Sequence, residues 1–282
     1  MVMEGTGPRI AIVGNVVEDL TPGGEWMAAG PALYSARAAA ALGAEVMLVS
    51  RVCPGHDRAN FEGLAVTEVP AQRCPRFENS YNAAGGRQQK LHALGEPIAF
   101  EDLPVPLEAD AILAAPALDE LAGFPPGEAP VCIAALQGPL RMAIPHRPIR
   151  RAPFPRERAR PFLGEGVIAL FSDDDVDDPP ALADALSGQG TVTVVTRGNR
   201  GAWLYRNRAR QAIPAISTRV TDPTGAGDAF AAAFAVRLVE TGDLLESCVF
   251  ANATGSLVVE RNGLNEMPSR DEVSARLLRG AA

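Results

Sequence analysis

Lysine is almost absent from this chain: Lys90 is the only one in 282 residues, while Lys and Arg together number 26. Several chemistries fall away with it. A phosphate-binding loop of the Gly-Lys-Ser/Thr type has no counterpart. A protein kinase needs a strand lysine in a Val-Ala-Ile-Lys setting, and none occurs. A Schiff-base enzyme would have to use Lys90, which sits in a polar stretch. Histidine is equally sparse. The three (His56, His92, His146) are far apart, and neither His-Glu-x-x-His nor a zinc-type Cys/His cluster is formed. The four cysteines (Cys53, Cys74, Cys132, Cys248) have no Cys-x-x-Cys spacing and are expected to be reduced thiols. No stretch approaches the roughly 20 apolar residues that span a bilayer. Met1 to Arg9 has no basic region followed by an apolar run, so no signal peptide is expected and the chain reads as cytoplasmic. The net charge of −8 argues against nonspecific nucleic-acid binding.

What the sequence does contain is an alternation of short apolar runs and small-residue helical stretches. Arg9 to Gly14 reads as a buried strand ended by glycine. Pro31 to Leu42 reads as a helix, with proline at its start and Gly43 just past its end. Val46 to Val49 is the next strand, and Ala111 to Ala114, Val131 to Ala135, Val167 to Phe171 and Val192 to Thr196 follow. This order predicts an α/β fold with a doubly wound, mostly parallel sheet and helices on both faces. Ala202 to Tyr205 and Arg208 to Ile213 read as a hairpin; Gly225 to Glu240, Leu244 to Glu260 and Arg270 to Arg279 read as helices. Phe77 to Tyr81 and Arg87 to Ala93 flank Asn82-Ala83-Ala84-Gly85-Gly86. That predicts a polar β-hairpin inserted at 74–96 as a flap or lid on one domain spanning 1–282. The arginines from Arg147 to Arg160 read as a solvated face, with phosphate contact as the other reading.

The segment richest in chemistry is Thr221-Asp222-Pro223-Thr224-Gly225-Ala226-Gly227-Asp228-Ala229-Phe230. Two glycines just before a long helix let the backbone approach a ligand closely. The helix presents its first N–H groups and the positive end of its dipole to the same place, which suits a phosphoryl group. Asp228 at that mouth could take a proton from an attacking hydroxyl as general base. The plainer alternative is a helix cap beside a glycine turn. A dinucleotide fingerprint is excluded, because its third glycine position is Phe230.

These residues resemble the signature of the ribokinase-like (PfkB) carbohydrate kinase family, and the resemblance runs from about Arg9 to Val273. It implies a β-flap lid on the α/β fold and Mg-ATP-dependent phosphorylation of a hydroxyl, and it leaves open a monovalent cation. It implies Asp228 as the base, with Thr224, Gly225, Ala226 and Gly227 forming the anion hole. Gly14 to Asp19 resembles the first strand and the substrate aspartate, so Asn15 and Asp19 become substrate candidates, Asp19 through a bidentate grip on vicinal hydroxyls. Ala29-Gly30-Pro31-Ala32 resembles the family's Gly-Gly substrate motif with Ala29 replacing the first glycine; Tyr34 stands where sugar kinases of the family often carry asparagine. Thr196, Arg197, Gly198 and Gly201 resemble the nucleotide loop, and Asn252 aligns with the adenine region. Ser172-Asp173-Asp174-Asp175 lies at the family's Asn-x-x-Glu, so Asp175 becomes the magnesium candidate, through water. The flap strand Phe77-Glu78 and Ile133 to Gly138 are similar to plant-type myo-inositol 3-kinases. The implied partners are ATP and a small sugar or cyclitol. A nucleoside would need an aromatic slot, for which Trp26, Tyr34 and Tyr81 are available. A non-catalytic sugar-binding protein on the same fold is the remaining alternative, and a polar flap such as Phe77 to Ala93 could pair across a homodimer.

Overall fold

In a strand buried on both sides, successive side chains enter two different cores. The first strand shows this alternation. Ile10 and Ile12 join one apolar cluster, Ala11 and Val13 the other, and all four are buried. The structure, a computed structural model, describes residues 7–21, 23–53, 56–81, 87–103 and 107–280. In chain order it begins with β1 (Arg9–Val13), β2 (Val17–Leu20), β3 (Trp26–Ala29), α1 (Pro31–Ala41), β4 (Glu45–Val52), β5 (Ala65–Pro70), β6 (Arg76–Tyr81) and β7 (Arg87–Ala93). Next come β8 (Leu107–Glu108), β9 (Ala111–Ala114), β10 (Gly127–Glu128), β11 (Val131–Ala135), β12 (Arg141–Met142), β13 (Arg150–Arg151), α2 (Pro155–Ala159) and β14 (Val167–Ser172). The remainder holds α3 (Pro179–Ser187), β15 (Thr193–Thr196), β16 (Ala202–Arg206), β17 (Ala209–Ile213), α4 (Ala226–Thr241), α5 (Leu244–Val258) and α6 (Arg270–Gly280).

A nine-stranded sheet in the order β17-β16-β15-β14-β11-β9-β1-β4-β5 forms the centre. The strands from β5 to β15 run parallel, and the hairpin β16–β17 closes one edge antiparallel. Side chains of α1, α4 and α5 complete the core on one face; α3 and Ala159 of α2 pack on the other. The architecture is therefore doubly wound, as the alternation of runs predicts. Winding reverses between β1 and its neighbour β9, since the chain leaves β1 toward β4 and β5 and returns to the other side through β9. In open parallel sheets the crevice beyond the carboxyl ends at such a reversal is where ligands bind.

The flap is larger than a hairpin. β6 and β7 belong to a four-stranded sheet, β3-β2-β6-β7, in which β2 pairs parallel with β6. The chain enters this second sheet three residues after β1 ends, so Asp19 lies within a strand and not in a turn. The hairpin tip, residues 82–86, lies outside the described residues, as do 1–6 of the N-terminal segment read for a signal peptide and the side chain of Tyr81. A second correction concerns cysteine: Cys53 and Cys74 form a disulfide, leaving Cys132 and Cys248 free. Burial pushes the Cys248 thiol up to about 12. Arg151 pairs with Asp177 and Arg158 with Asp119 at partly exposed positions, which fits a solvated basic face. Among the described residues no helix is long and apolar enough to cross a membrane.

Helix α4 carries the densest part of the core. Its residues Ala229 to Val236 are all buried, and Phe234 is 0% exposed. Truncating that ring leaves a cavity that a helix wedged among α1, α5 and the sheet cannot collapse around. Phe234→Ala is expected to lower the unfolding free energy by about 3–5 kcal/mol. Urea denaturation measures this, and a loss below about 1 kcal/mol would refute tight packing there.

Candidate active site

The cleft at the winding reversal is assembled from both sheets. Val17 follows β1, Ala117 follows β9 and Gln137 follows β11, so the carboxyl ends of the core strands form its floor. Asp19 on β2, Phe77 on β6 and Gln89 on β7 form a wall from the second sheet. Gly30, Pro31 and Tyr34 enter from the start of α1, and Pro223, Thr224, Gly225, Gly227 and Asp228 from the start of α4.

Two left-handed glycines set these helix starts. Gly30, at φ 101°, is the N-cap of α1, and Gly225, at φ 77°, is the N-cap of α4. A side chain at Gly225 is doubly excluded, because a Cβ would fall 2.1 Å from Cδ1 of Tyr34. The Tyr34 ring lies directly on this backbone. At Gly227 a Cβ would meet nothing within 4 Å, so that turn of backbone faces open space. Asp222 Oδ1 accepts the N–H of Thr224 at 2.9 Å and tightens the turn before the helix. Ser35 Oγ donates to the Asp228 carbonyl at 3.1 Å, and Gly255 of α5 leaves room for the carbonyl of Ala226. Asp228 itself is half-buried in the first turn, at the cleft.

A line of polar contacts crosses the wall. Asn79 Nδ2 donates to Asp19 Oδ2 at 2.9 Å, Gln89 Nε2 donates to Asn79 Oδ1 at 3.0 Å, and Arg141 donates to Gln89 Oε1 at 3.1 Å. The relay ties β2, β6, β7 and β12 together. Asn79, Gln89 and Arg141 were not singled out in the sequence; their polar character in a hairpin was the available signal, and their convergence needs the fold.

Glu120 is another such residue. Its buried carboxylate accepts the N–H groups of Ala117 and Leu118, each at 2.6 Å, and of Asn15 at 3.3 Å. Burial pushes its pKa up, and the three peptide N–H groups oppose that. The clamp joins the loops that follow β1 and β9, across the winding reversal.

Not every predicted residue reaches the cleft. Asn15 is fully buried and turns Nδ2 to the Glu96 carbonyl at 2.8 Å, outside the cleft lining. The Asp175 carboxylate is 7% exposed and accepts the Ser172 N–H at 2.8 Å; burial raises its pKa, against the Arg141 charge. It closes a turn with the Ser172 N–H and is not among the residues lining the cleft. Among the described residues no group of three or more His, Cys, Asp and Glu is placed to hold a metal. Trp26 lies against Arg76 and His92 on the second sheet, so Tyr34 and Phe77 are the aromatic rings lining the cleft among the described residues.

The nucleotide candidates form a separate group. Arg197 stacks 3.8 Å from the Trp203 ring centroid, and Arg200 pairs with Asp173. Gly201 is required because a Cβ would lie 2.0 Å from the Ile213 carbonyl oxygen. Asn252 Nδ2 donates to the Pro214 carbonyl at 2.6 Å. Gly201 and Asn252 thus converge on the backbone at 213–215, while Thr196 ends β15 beside Gly198. This group lies outside the cleft lining; Asn252 shares α5 with Gly255, which touches the first turn of α4.

Comparison with known proteins agrees with this fold. Residues 167–271 match the pfkB family carbohydrate kinase model. That stretch, which holds the start of α4 and Asp228, is similar to the pfkB carbohydrate kinases. Over 105 residues it is 36% identical to a nucleoside kinase of Methanocaldococcus jannaschii, covering 36% of this chain and 32% of that protein. The match thus spans about a third of the length of the curated relative. Similarity of fold extends much further. A pyrophosphate-dependent kinase of the ribokinase family superposes with a TM-score of 0.74 at 18% identity, covering 94% of this chain and 99% of that one. Thermotoga maritima ribokinase gives 0.71 at 19% identity, with 96% and 99% covered.

The Gly225–Tyr34 contact allows a direct test. Gly225→Ala should destabilise the protein by about 1–3 kcal/mol from backbone strain alone, plus the clash. In a Tyr34→Ala background the clash disappears and only the strain remains. A double-mutant cycle by chemical denaturation should therefore show positive coupling. Equal costs in both backgrounds would mean that the ring does not rest on this glycine.

Proposed function

We propose that the protein is a kinase that moves the terminal phosphoryl group of ATP to a hydroxyl of a small sugar or cyclitol. The observation that carries this is the presence of Asp228 and Asp19 in the lining of one cleft, Asp19 from the second sheet and Asp228 from the start of α4. In this reading the hydroxyl to be phosphorylated lies beside Asp228, which takes its proton as the oxygen attacks phosphorus. The peptide N–H groups around Gly225–Gly227 receive charge that builds on the transferred phosphoryl oxygens. The open space at Gly227 fits a phosphate, because the backbone there is not covered by side chains. Asp19, steadied by Asn79, accepts hydrogen bonds from neighbouring hydroxyls of the acceptor. Thr196, Arg197, Gly198, Gly201, Thr224 and Asn252 stand as the nucleotide side. Magnesium, when bound, would supply positive charge against the donor phosphates.

The lining favours a polyol over a nucleoside. Gln89, Gln137 and Arg141 join Asp19 around the acceptor position, and the Phe77 ring is 2% exposed. A flat base has little aromatic surface to stack on. Myo-inositol is the acceptor that the resemblance of Phe77-Glu78 and Ile133 to Gly138 suggests, with ribose, fructose and adenosine as comparators. Intact Gly225-Ala226-Gly227-Asp228 speaks against a purely binding protein, which has no use for a base at the helix mouth.

Purified protein with Mg-ATP and each acceptor, scored by ADP release, tests the reading; pyrophosphate replaces ATP in a parallel series. Asp228→Asn is expected to lower kcat by roughly 10²- to 10⁴-fold while ATP binding persists. Asp19→Ala is expected to raise the acceptor KM with a smaller effect on kcat. Near-normal kcat in the first variant would remove Asp228 as the base. A panel with no ADP release above background, alongside tight polyol binding in titration calorimetry, would favour the binding protein.

A further inference from the structure

The only disulfide among the described residues joins the two sheets. Cys53 directly follows β4 of the central sheet, and Cys74 lies two residues before β6 of the second sheet. Around Cys74 the side chains are arranged for more than packing. His56 Nε2 faces Cys74 Sγ at 3.6 Å and Glu18 Oε1 at 3.4 Å. The His56 side chain is 3% exposed and that of Glu18 is 13% exposed, so the pair is enclosed beside the sulfur. Burial holds the His56 pKa below its usual value, against the pull of Glu18. Nδ1 has no hydrogen-bond partner, so Nε2 is the ring nitrogen turned to both the carboxylate and the sulfur.

Glu18 links this array to the cleft. Its peptide N–H donates to the Pro75 carbonyl at 2.8 Å, and its carboxylate pairs with Arg76. Through the register of β2 with β6, Glu18 stands beside Arg76 and Asp19 beside Phe77. The cystine thus anchors the first residues of the strand against which Asp19 is held.

We infer that Cys53–Cys74 is a thiol–disulfide exchange site, with a small or protein-borne dithiol as its co-reactant, and that its redox state sets how the second sheet presents Asp19 to the cleft. In the reductive direction a thiolate of the dithiol attacks Cys53 Sγ. The Cys53–Cys74 bond breaks and its electron pair leaves on Cys74 Sγ, where the His56 N–H stabilises the charge. A better-stabilised leaving thiolate departs faster. The second thiol of the reductant then attacks the mixed disulfide and releases Cys53. Two electrons and two protons pass from the dithiol to the cystine, and the reductant leaves as its own disulfide. Once the bond is open, no cross-link holds the start of β6 to the end of β4, and Glu18 and Asp19 lose a fixed neighbour. The presence of His56 and Glu18 is what distinguishes this pair from an inert staple, which needs neither.

The effect on the acceptor rests on the kinase reading; the exchange chemistry does not. The test uses the full chain, oxidised or treated with dithiothreitol under native conditions, with thiols located by alkylation and mass spectrometry. Two new thiols are expected, at Cys53 and Cys74, with the fold retained. Hydrogen exchange should rise in β2 and β6 and stay unchanged in β1 and β9. The acceptor KM should rise at least about fivefold, the lower range of coupling between sites, with kcat less affected. His56→Gln should slow reduction by about tenfold, the consequence of losing one charge-assisted hydrogen bond in the transition state, and leave the KM of the oxidised protein as it was. Cys53→Ser should reproduce the reduced form. Resistance of the bond to dithiothreitol in the folded protein would overturn the inference. So would thiol release with unchanged exchange in β2 and β6, or an unaltered reduction rate in His56→Gln. A protein that releases thiols and loosens the second sheet but shows no turnover with any acceptor would refute the kinase reading and leave the exchange site standing.

Discussion

The cleft depends on one contact, the ring of Tyr34 resting on the backbone of Gly225. Each residue sits near the start of a helix, and each helix starts from a glycine in the left-handed region. With no side chain between them, α1 and α4 bring their first turns together at the same point. Ser35 then reaches the Asp228 carbonyl, and Gly255 admits the carbonyl of Ala226 from the opposite flank. The first turn of α4 thus has Ser35 of α1 hydrogen-bonded to it and Gly255 of α5 packed beside it. Alanine fills most of the buried length behind it, so the helix lies close against the sheet and cannot rotate freely. A side chain on that first turn has its direction set by packing, which is what a base acting at a defined oxygen requires.

A second constraint acts on the floor. Two adjacent parallel strands, β1 and β9, send their chains in opposite directions, and the loops beyond them have no ladder to hold them. Glu120 supplies the missing connection by gathering the N–H groups of Asn15, Ala117 and Leu118. Burying a carboxylate is unfavourable, and burial alone pushes Glu120 toward its neutral form. Three donors converge on it because only an acceptor with several lone pairs can satisfy all of them. Asn15 therefore matters to the cleft by position: it holds the floor and does not touch what lies above it.

Much of this was legible in the sequence, and the parts that were not share a physical reason. Strands buried on both faces are written as apolar runs, so β1, β4, β9, β11, β14 and β15 could be read directly; α4 could be placed from Gly225, Ala226 and Gly227 alone. The strands β2 and β3 were missed because Val17–Leu20 and Trp26–Ala29 are only four residues each and their burial does not alternate, which removes the signal by which half-buried strands are read. The cystine escaped notice because 21 residues separate its members and no motif marks them. Asp175 shows a different limit. A run of acidic residues after a strand says that carboxylates are present, but whether one turns outward to an ion or inward to the Ser172 N–H is decided by a single dihedral angle. The line from Gln89 through Asn79 to Asp19 is set by the register of β6 with β7 and of β2 with β6, and strands of polar residues carry little record of their register.

The division of the chain between two sheets bears on the proposed chemistry. Asp228 belongs to the central body, whereas Asp19 belongs to the second sheet, and only Gly14, Asn15 and Val16 separate β2 from the last residue of β1. All three are pinned: Gly14 lies too close to the Ala115 carbonyl for any side chain, Asn15 is held by Glu120 and Glu96, and the Val16 N–H donates to Ser50. At this entry, then, the second sheet is tied to the core by hydrogen bonds and close contact. At its other entry, before β6, the tie is the cystine. Further contacts, such as Arg141 with Gln89 and the Leu91 N–H with the Arg147 carbonyl, hold the sheet along its length, and these two entries are the ties nearest Glu18 and Asp19. The first consists of buried hydrogen bonds whose loss would disturb the core itself, while the second can be opened and the core left whole. A polyol gripped by Asp19 and deprotonated by Asp228 would feel the spacing between the two sheets directly, since its own ring is rigid and cannot compensate for a gap.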